Sequence, residues 1–103
     1  MVKVLSVFGT RPEAIKMAPV VKELARHGDR IVSRVCVTGQ HRQMLDQVLR
    51  LFVIEPDYDL NVMVGNQTPM QVASAVLSKL EPVLQSEKPD WVRVQGDGQT
   101  NSR

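Results

Sequence analysis

The stretch that most constrains this chain runs from Val2 into Glu13. Val2–Phe8 is an almost continuous apolar run, broken only by Lys3 and Ser6, and it stops at Gly9. Such a run is too short to cross a membrane and suits a parallel strand buried on both faces. The next residues are Thr10, Arg11, Pro12 and Glu13. Thr10 with Glu13 three positions later fits a capping box, and Pro12 falls in the first helical turn, where a missing N–H does little harm. A buried strand that breaks at a glycine and opens a helix presents backbone N–H groups to an anionic ligand, here with the Arg11 cation beside them. One glycine is not a glycine-rich loop, and neither the dinucleotide fingerprint nor the Walker pattern is present.

The same alternation continues along the chain. After Thr10, the residues Ile15, Ala18, Val21, Leu24 and Ala25 recur at helical spacing. Pro19 predicts a kink near Met17, or a short turn followed by a second helix, and Gly28 is a natural stop. Residues 31–38 read as the second strand, ended by Gly39. A helix with Met44, Leu45, Val48, Leu49 and Phe52 on one face follows, and Tyr58, Asp59 and Leu60 form a short third strand. Thr68, Pro69 and Gln71 repeat the helix-start chemistry. The helix they open carries Val72, Ala73, Val76, Leu77, Leu80, Val83 and Leu84, with a bend expected at Pro82. Residues 91–94 form a fourth strand, ended by Gly96-Asp97-Gly98. This rhythm predicts a doubly wound, Rossmann-like α/β domain with a parallel sheet in the order 3-2-1-4 and helices on both faces. No helix follows the fourth strand, so the sheet face near Trp91 is expected to be poorly covered, and the chain reads as cut inside a domain.

Composition narrows the function classes. The 103 residues make one small domain, 43% are apolar, and the formal net charge of +2 comes from scattered lysines and arginines. Without a basic block or interleaved aromatics, nucleic acid is not an expected partner. Cys36 is the only cysteine, so no disulfide framework and no cysteine-based metal site can form, and a reducing, cytoplasmic setting is expected. Neither a signal peptide nor a membrane span is expected. No His, Cys, Asp and Glu set has metal-ligand spacing.

In sheets of this kind ligands bind beyond the carboxyl ends of the strands, where the strand order reverses. Residues 9–12, 39–42 and 96–98 lie there. In a 3-2-1-4 order, Arg11 and Asp97 face one crevice, a pairing that suits a phosphorylated or nucleotide substrate with a proton transfer nearby. Each candidate also has a plainer reading. Arg11 fits a solvated helix start, Lys16 a stem covering apolar surface, Asp97 a turn residue and His41 a helix cap. Glu13 is mostly explained by capping. His27 reads as a helix C-terminal residue, Cys36 as a small core residue, and the methionines as packing.

Two phrases carry a resemblance: Val7-Phe8-Gly9-Thr10-Arg11-Pro12-Glu13-Ala14-Ile15-Lys16-Met17-Ala18-Pro19, and Thr38-Gly39-Gln40-His41-Arg42-Gln43-Met44-Leu45-Asp46-Gln47-Val48-Leu49. With Pro56-Asp57-Tyr58-Asp59-Leu60-Asn61 and Pro89-Asp90-Trp91-Val92 leading to Gln95-Gly96-Asp97, the chain resembles the N-terminal part of the non-hydrolysing UDP-N-acetylglucosamine 2-epimerases, from Met1 to about Asp97. The resemblance implies a glycosyltransferase-B-like fold of two Rossmann-like domains with the site between them. Residues 1–103 would form part of the first domain, and the second would be absent. It implies interconversion of UDP-N-acetylglucosamine and UDP-N-acetylmannosamine, by loss of UDP to a glycal-type intermediate and its re-addition. It further implies no cofactor, no catalytic metal, a homodimer, and a second UDP-N-acetylglucosamine as activator.

Carried onto this sequence, the resemblance puts Arg11, with Thr10, against the UDP part of the substrate. It makes Lys16 a residue needed for activity and Asp97 the carboxylate for proton transfer at C2. Gln40 and Gln43, with His41 between them, line the activator site. Three departures are visible. Gly39 stands where relatives usually carry Ala. Residues 98–103 stand where a run of threonines usually follows the Gly-Asp pair. Gly65-Asn66 replaces a loop in which some relatives carry Arg. The alternative reading is a non-catalytic fragment that binds nucleotide-sugar weakly or not at all, and a related sugar-transfer enzyme is a third.

Overall fold

The computed structural model describes residues 1–39, 42–62, 67–96 and 99–102. Eight elements follow in order: β1 (Val2–Phe8), α1 (Arg11–Arg26), β2 (Ile31–Val37), α2 (Arg42–Leu51), β3 (Tyr58–Asp59), α3 (Pro69–Glu87), β4 (Trp91–Gly96) and β5 (Gln99–Ser102). The sheet order is β3-β2-β1-β4-β5. The expected parallel 3-2-1-4 core is present. It gains an antiparallel edge strand, β5, paired to β4 from Arg93↔Ser102 to Gly96↔Gln99. β5 is polar throughout, Gln-Thr-Asn-Ser, and has no apolar alternation to mark it in the sequence.

β1 occupies the centre because its sequence can be buried on both sides. It pairs with β2 along its full length, Val2↔Ile31 to Phe8↔Val37, and with β4 from Val4↔Trp91 to Val7↔Val94. Strand alternation then divides its side chains between two cores. Phe8 joins Val35 and Val37 under Ala14, Met17 and Val21 of α1 and Leu45, Val48 and Leu49 of α2. Leu5 and Val7 join Cys36, Leu60 and Val62 under Leu80 and Val83 of α3. Cys36 is fully buried, and burial, with the Asp59 charge adding, pushes its thiol up to about 11. It is the inert core residue expected.

The helices depart from expectation in phase. α1 runs unbroken through Pro19, and α3 through Pro82. Pro19 and Pro82 both lie on exposed positions. The buried stripe of α1 is Ala14, Met17, Ala18 and Val21, whereas Ile15 is exposed. Leu24 is half-buried and Ala25 exposed, so the stripe is turned by about one residue from the expected face. Leu77 also points outward, at 66% exposure. α3 meets the sheet through Leu80 and Val83, which pack with Leu5, Val7 and Cys36. Trp91 is half exposed, in keeping with the uncovered face expected there. Among the described residues no helix is long and apolar enough to cross a membrane.

Polar contacts fasten the amino-terminal end of the sheet. Lys3 N–H donates to Asp90 Oδ2 at 2.7 Å, and Asp90 N–H donates to the Lys3 carbonyl at 2.8 Å, locking β1 to the start of β4. The Lys3 ammonium donates to the Glu87 carbonyl at 2.8 Å and pairs with Glu87 Oε1 at 3.1 Å. Arg34 Nε lies 3.4 Å from the same oxygen, and the Tyr58 hydroxyl donates to Oε2. Glu87 thereby ties the end of α3 to β1, β2 and β3. The Tyr58 hydrogen bond holds its carboxyl below the ordinary value against the opposing effect of burial, with Lys3 and Arg34 adding to the pull. The same bond raises the Tyr58 phenol.

At the other end, β1 and β2 approach closely. A Cβ added to Gly9 would lie 1.8 Å from Thr38 Oγ1 and 3.1 Å from Thr38 Cβ. Thr38 cannot swing away cheaply, because its N–H donates to the Phe8 carbonyl at 3.0 Å and its carbonyl accepts from Val62 N–H at 2.7 Å.

Two predictions follow from these contacts. Gly9→Ala lowers stability by about 2 kcal/mol through overpacking. Adding Thr38→Ala restores part of that loss, and a chemical-denaturation double-mutant cycle measures the coupling. Because folded Glu87 binds its proton less readily than the unfolded chain does, its contribution is full above the unfolded carboxylate pKa and disappears as pH falls through the lowered folded value. Glu87→Gln therefore costs about 1 kcal/mol at neutral pH and flattens the decline in melting temperature between about pH 5 and pH 3.

Candidate functional site

The strand order places a crevice at the carboxyl ends of β1 and β4. From β1 the chain passes through α1 to β2 on one side, and from β3 it returns through α3 to β4 on the other. α1 and α2 cover one face and α3 the opposite face. The order therefore reverses between β1 and β4, where α/β sheets bind ligands. Val7 pairs with Val94, so Gly9 and Gly96 each lie two residues past one registered pair.

The turn from β1 into α1 is built as its sequence dictates. Thr10 is the N-cap with extended backbone, φ −117° and ψ 165°. Its hydroxyl accepts from Glu13 N–H at 3.5 Å. Glu13 Oε1 reaches back and accepts from Thr10 N–H at 3.1 Å and from Gly9 N–H at 2.9 Å. This corrects one expectation. The Gly9 and Thr10 N–H groups do not face a ligand, because the carboxylate three and four residues on already takes them. Pro12 has no N–H to offer. Two of the backbone donors at this turn are thus already taken.

Two cations stand on α1. Arg11 is the first helical residue and is exposed, and Lys16 is exposed farther along α1. They lie about 7.5 Å apart along the axis and about 140° apart around it. The buried stripe of Ala14, Met17, Ala18 and Val21 occupies the opposite side. Arg11 and Lys16 therefore bracket the solvent-facing arc, with exposed Pro12 and Ile15 between them.

Gln43 lies exposed in the first turn of α2, at the same end of the sheet beyond β2. Gln40, His41 and Asp97 lie outside the described residues. His27 caps the end of α1, its N–H donating to the Leu24 carbonyl at 3.1 Å and its ring 3.0 Å from Glu23 Oε2, as expected of a helix C-terminal residue. Met17 is a core residue. Among the described residues no group of His, Cys, Asp and Glu could hold a metal ion. Sequence reasoning missed Thr38, whose hydroxyl is buried against Gly9 with no hydrogen-bond partner among the described residues. No local pattern marks it, since the contact joins two strands far apart in the chain. Ser6 Oγ and Arg93 Nε are likewise buried without such a partner, on registered positions of β1 and β4.

A family model described as UDP-N-acetylglucosamine 2-epimerase matches residues 22–102. The Neisseria meningitidis UDP-N-acetylglucosamine 2-epimerase is 58% identical over 98 residues, covering 95% of this chain and 26% of that protein. The Escherichia coli K12 enzyme of the same name is 56% identical, with the same two coverages. A crystal structure of the N. meningitidis 2-epimerase bound to UDP-GlcNAc superposes with a TM-score of 0.83 at 59% identity, over 92% of this chain and 26% of that one. The S. aureus MnaA–UDP structure gives a TM-score of 0.79 at 49% identity, over 89% and 24%. This chain thus spans about a quarter of the length of these relatives. With the match running through nearly every element of the sheet, the chain belongs to the UDP-N-acetylglucosamine 2-epimerase family.

Proposed function

We propose that these residues supply the first-domain side of a UDP-N-acetylglucosamine 2-epimerase site, with the other side supplied from outside residues 1–103. The observation that carries this reading is the family match combined with an exposed arginine and lysine on the helix that leaves the switch-point strand. In this reading the C2 proton is removed as the C1–O bond to UDP breaks, leaving a C1–C2 double bond. UDP oxygen then returns to C1 and a proton to the opposite face of C2. Nothing is oxidised or reduced overall, so the sequence's lack of a dinucleotide fingerprint fits.

Negative charge grows on the departing diphosphate, and Arg11 is the preorganised donor for it, with the Thr10 hydroxyl at the same turn. Lys16 meets the same anion from the far edge of the arc. Asp97 follows Gly96 at the end of β4 and is the proposed base at C2. Gln40, His41 and Gln43 form the proposed activator side. We further propose a homodimer acting in the cytoplasm. A neighbour bound to UDP-GlcNAc supports the substrate class.

In the full-length protein, Arg11→Ala lowers kcat/KM by an amount equal to about 2–4 kcal/mol of transition-state stabilisation, the scale of one electrostatic donor. Turnover near that of the parent removes Arg11 from the role. Deuterium entering C2 of the sugar, followed by NMR in heavy water, reports the proposed proton transfer directly. Calorimetry with UDP-N-acetylglucosamine separates a binding protein from one that binds nothing.

A further inference from the structure

We propose that Thr38 is a positioning residue of the candidate site. Its buried hydroxyl oxygen is the surface against which Gly9 rests, and through Gly9 it sets where the Arg11 side chain starts. The inference rests on the proposed role of Arg11 at the departing diphosphate.

Three observations carry it. The first is which atom makes the contact. A Cβ at Gly9 would lie 1.8 Å from Thr38 Oγ1 but 3.5 Å from Thr38 Cγ2, so the oxygen, not the methyl group, meets the end of β1. Second, Thr38 is only 5% exposed, and that oxygen is buried with no hydrogen-bond partner among the described residues. A buried hydroxyl without a partner costs stability, so hydrogen bonding is no reason for a threonine here. Size is one. An oxygen atom is smaller than a methyl group, and a valine at this position would press on Gly9. Third, Thr38 is held from both sides. Its N–H donates to the Phe8 carbonyl at 3.0 Å, its carbonyl accepts from Val62 N–H at 2.7 Å, and Leu60 N–H donates to the Val37 carbonyl at 2.9 Å. Leu60 and Val62 are themselves buried with Leu80 and Val83 of α3. A change of size at position 38 is therefore taken up by the Gly9 turn. Arg11 is two residues past Gly9 and is the first residue of α1, so a shift of Gly9 moves the root of its side chain.

A merely structural threonine and a positioning one leave different traces. The first alters stability and leaves the rate per folded molecule alone. The second alters that rate, and does so only while Arg11 is present.

The test is a double-mutant cycle on the full-length protein, with steady-state rates and melting temperature recorded for each variant. Thr38→Val is expected to lower kcat about tenfold and to leave KM within about twofold, since Arg11 opposes charge that grows in the transition state. Thr38→Ser keeps the oxygen, and its kcat should stay within about threefold of the parent. Thr38→Ala removes the contact, is expected to lower kcat as well, and decides the matter if the valine variant does not fold. In an Arg11→Ala background the same changes should alter kcat by less than about twofold, because the group they displace is gone. Calorimetry with UDP reads the cycle without turnover, and affinity should fall about fivefold for Thr38→Val only while Arg11 is present. Parental kcat and UDP affinity in the folded valine or alanine variant overturn the proposal, and so does a loss that persists in full without Arg11. A parent protein that binds UDP through Arg11 without epimerising the nucleotide-sugar sinks the proposed function and leaves the Thr38 cycle to be read from UDP affinity. Arg11→Ala matching the parent in both measurements overturns both.

Discussion

The close approach of Gly9 to Thr38 is the constraint on which the rest of this structure depends. A backbone without a side chain lets the end of β1 lie directly against the end of β2. That contact fixes where α1 begins, and α1 then carries Arg11 and Lys16 to the solvent side while Met17 and Val21 go into the core. Glu13 completes the turn by taking two N–H groups that would otherwise be free. Close packing, a cap and two placed cations are thus one piece of local architecture.

The two ends of the sheet are built for different tasks. At the amino-terminal end, Lys3, Arg34, Tyr58, Glu87 and Asp90 satisfy one another and join every parallel strand to the end of α3. Their charges are paired, so this end stabilises and offers little to a ligand. At the carboxyl end, Arg11 and Lys16 are exposed, without a paired carboxylate among the described contacts. Unpaired cations cost little in water and remain available to an anion. This division follows the general rule that parallel sheets react at their carboxyl ends.

Much of this was legible beforehand, for identifiable reasons. Both capping boxes were readable because the bonds that make them join residues three apart, as Thr10–Glu13 and Thr68–Gln71 show. The strand order was readable because right-handed crossovers leave few alternatives. The phase of α1 was not. Ile15 and Met17 are both apolar, and only the position of the helix over Phe8 and Val35 decided that Met17 goes inward and Ile15 outward. Leu77 was misplaced for a related reason, since Leu80 and Val83 are the buried residues of α3 and Leu77 stays outward. The β5 edge strand was missed because its residues are polar and carry no alternating pattern.

By itself the sequence determined the class of fold, the positions of the helix starts, the family, and the choice of Arg11 and Lys16 as cations to watch. Those properties depend on short-range bonds, on hydrophobic runs and on phrases that stand in one stretch of chain. Only the tertiary structure decided that Thr38 closes on Gly9, that Glu87 gathers three strands, and that the arc between Arg11 and Lys16 faces solvent while the stripe of Ala14, Met17, Ala18 and Val21 is buried. It also decided that Glu13 accepts from Gly9 as well as from Thr10. Each of these depends on which faces meet across distant segments, and packing over the whole sheet sets that geometry.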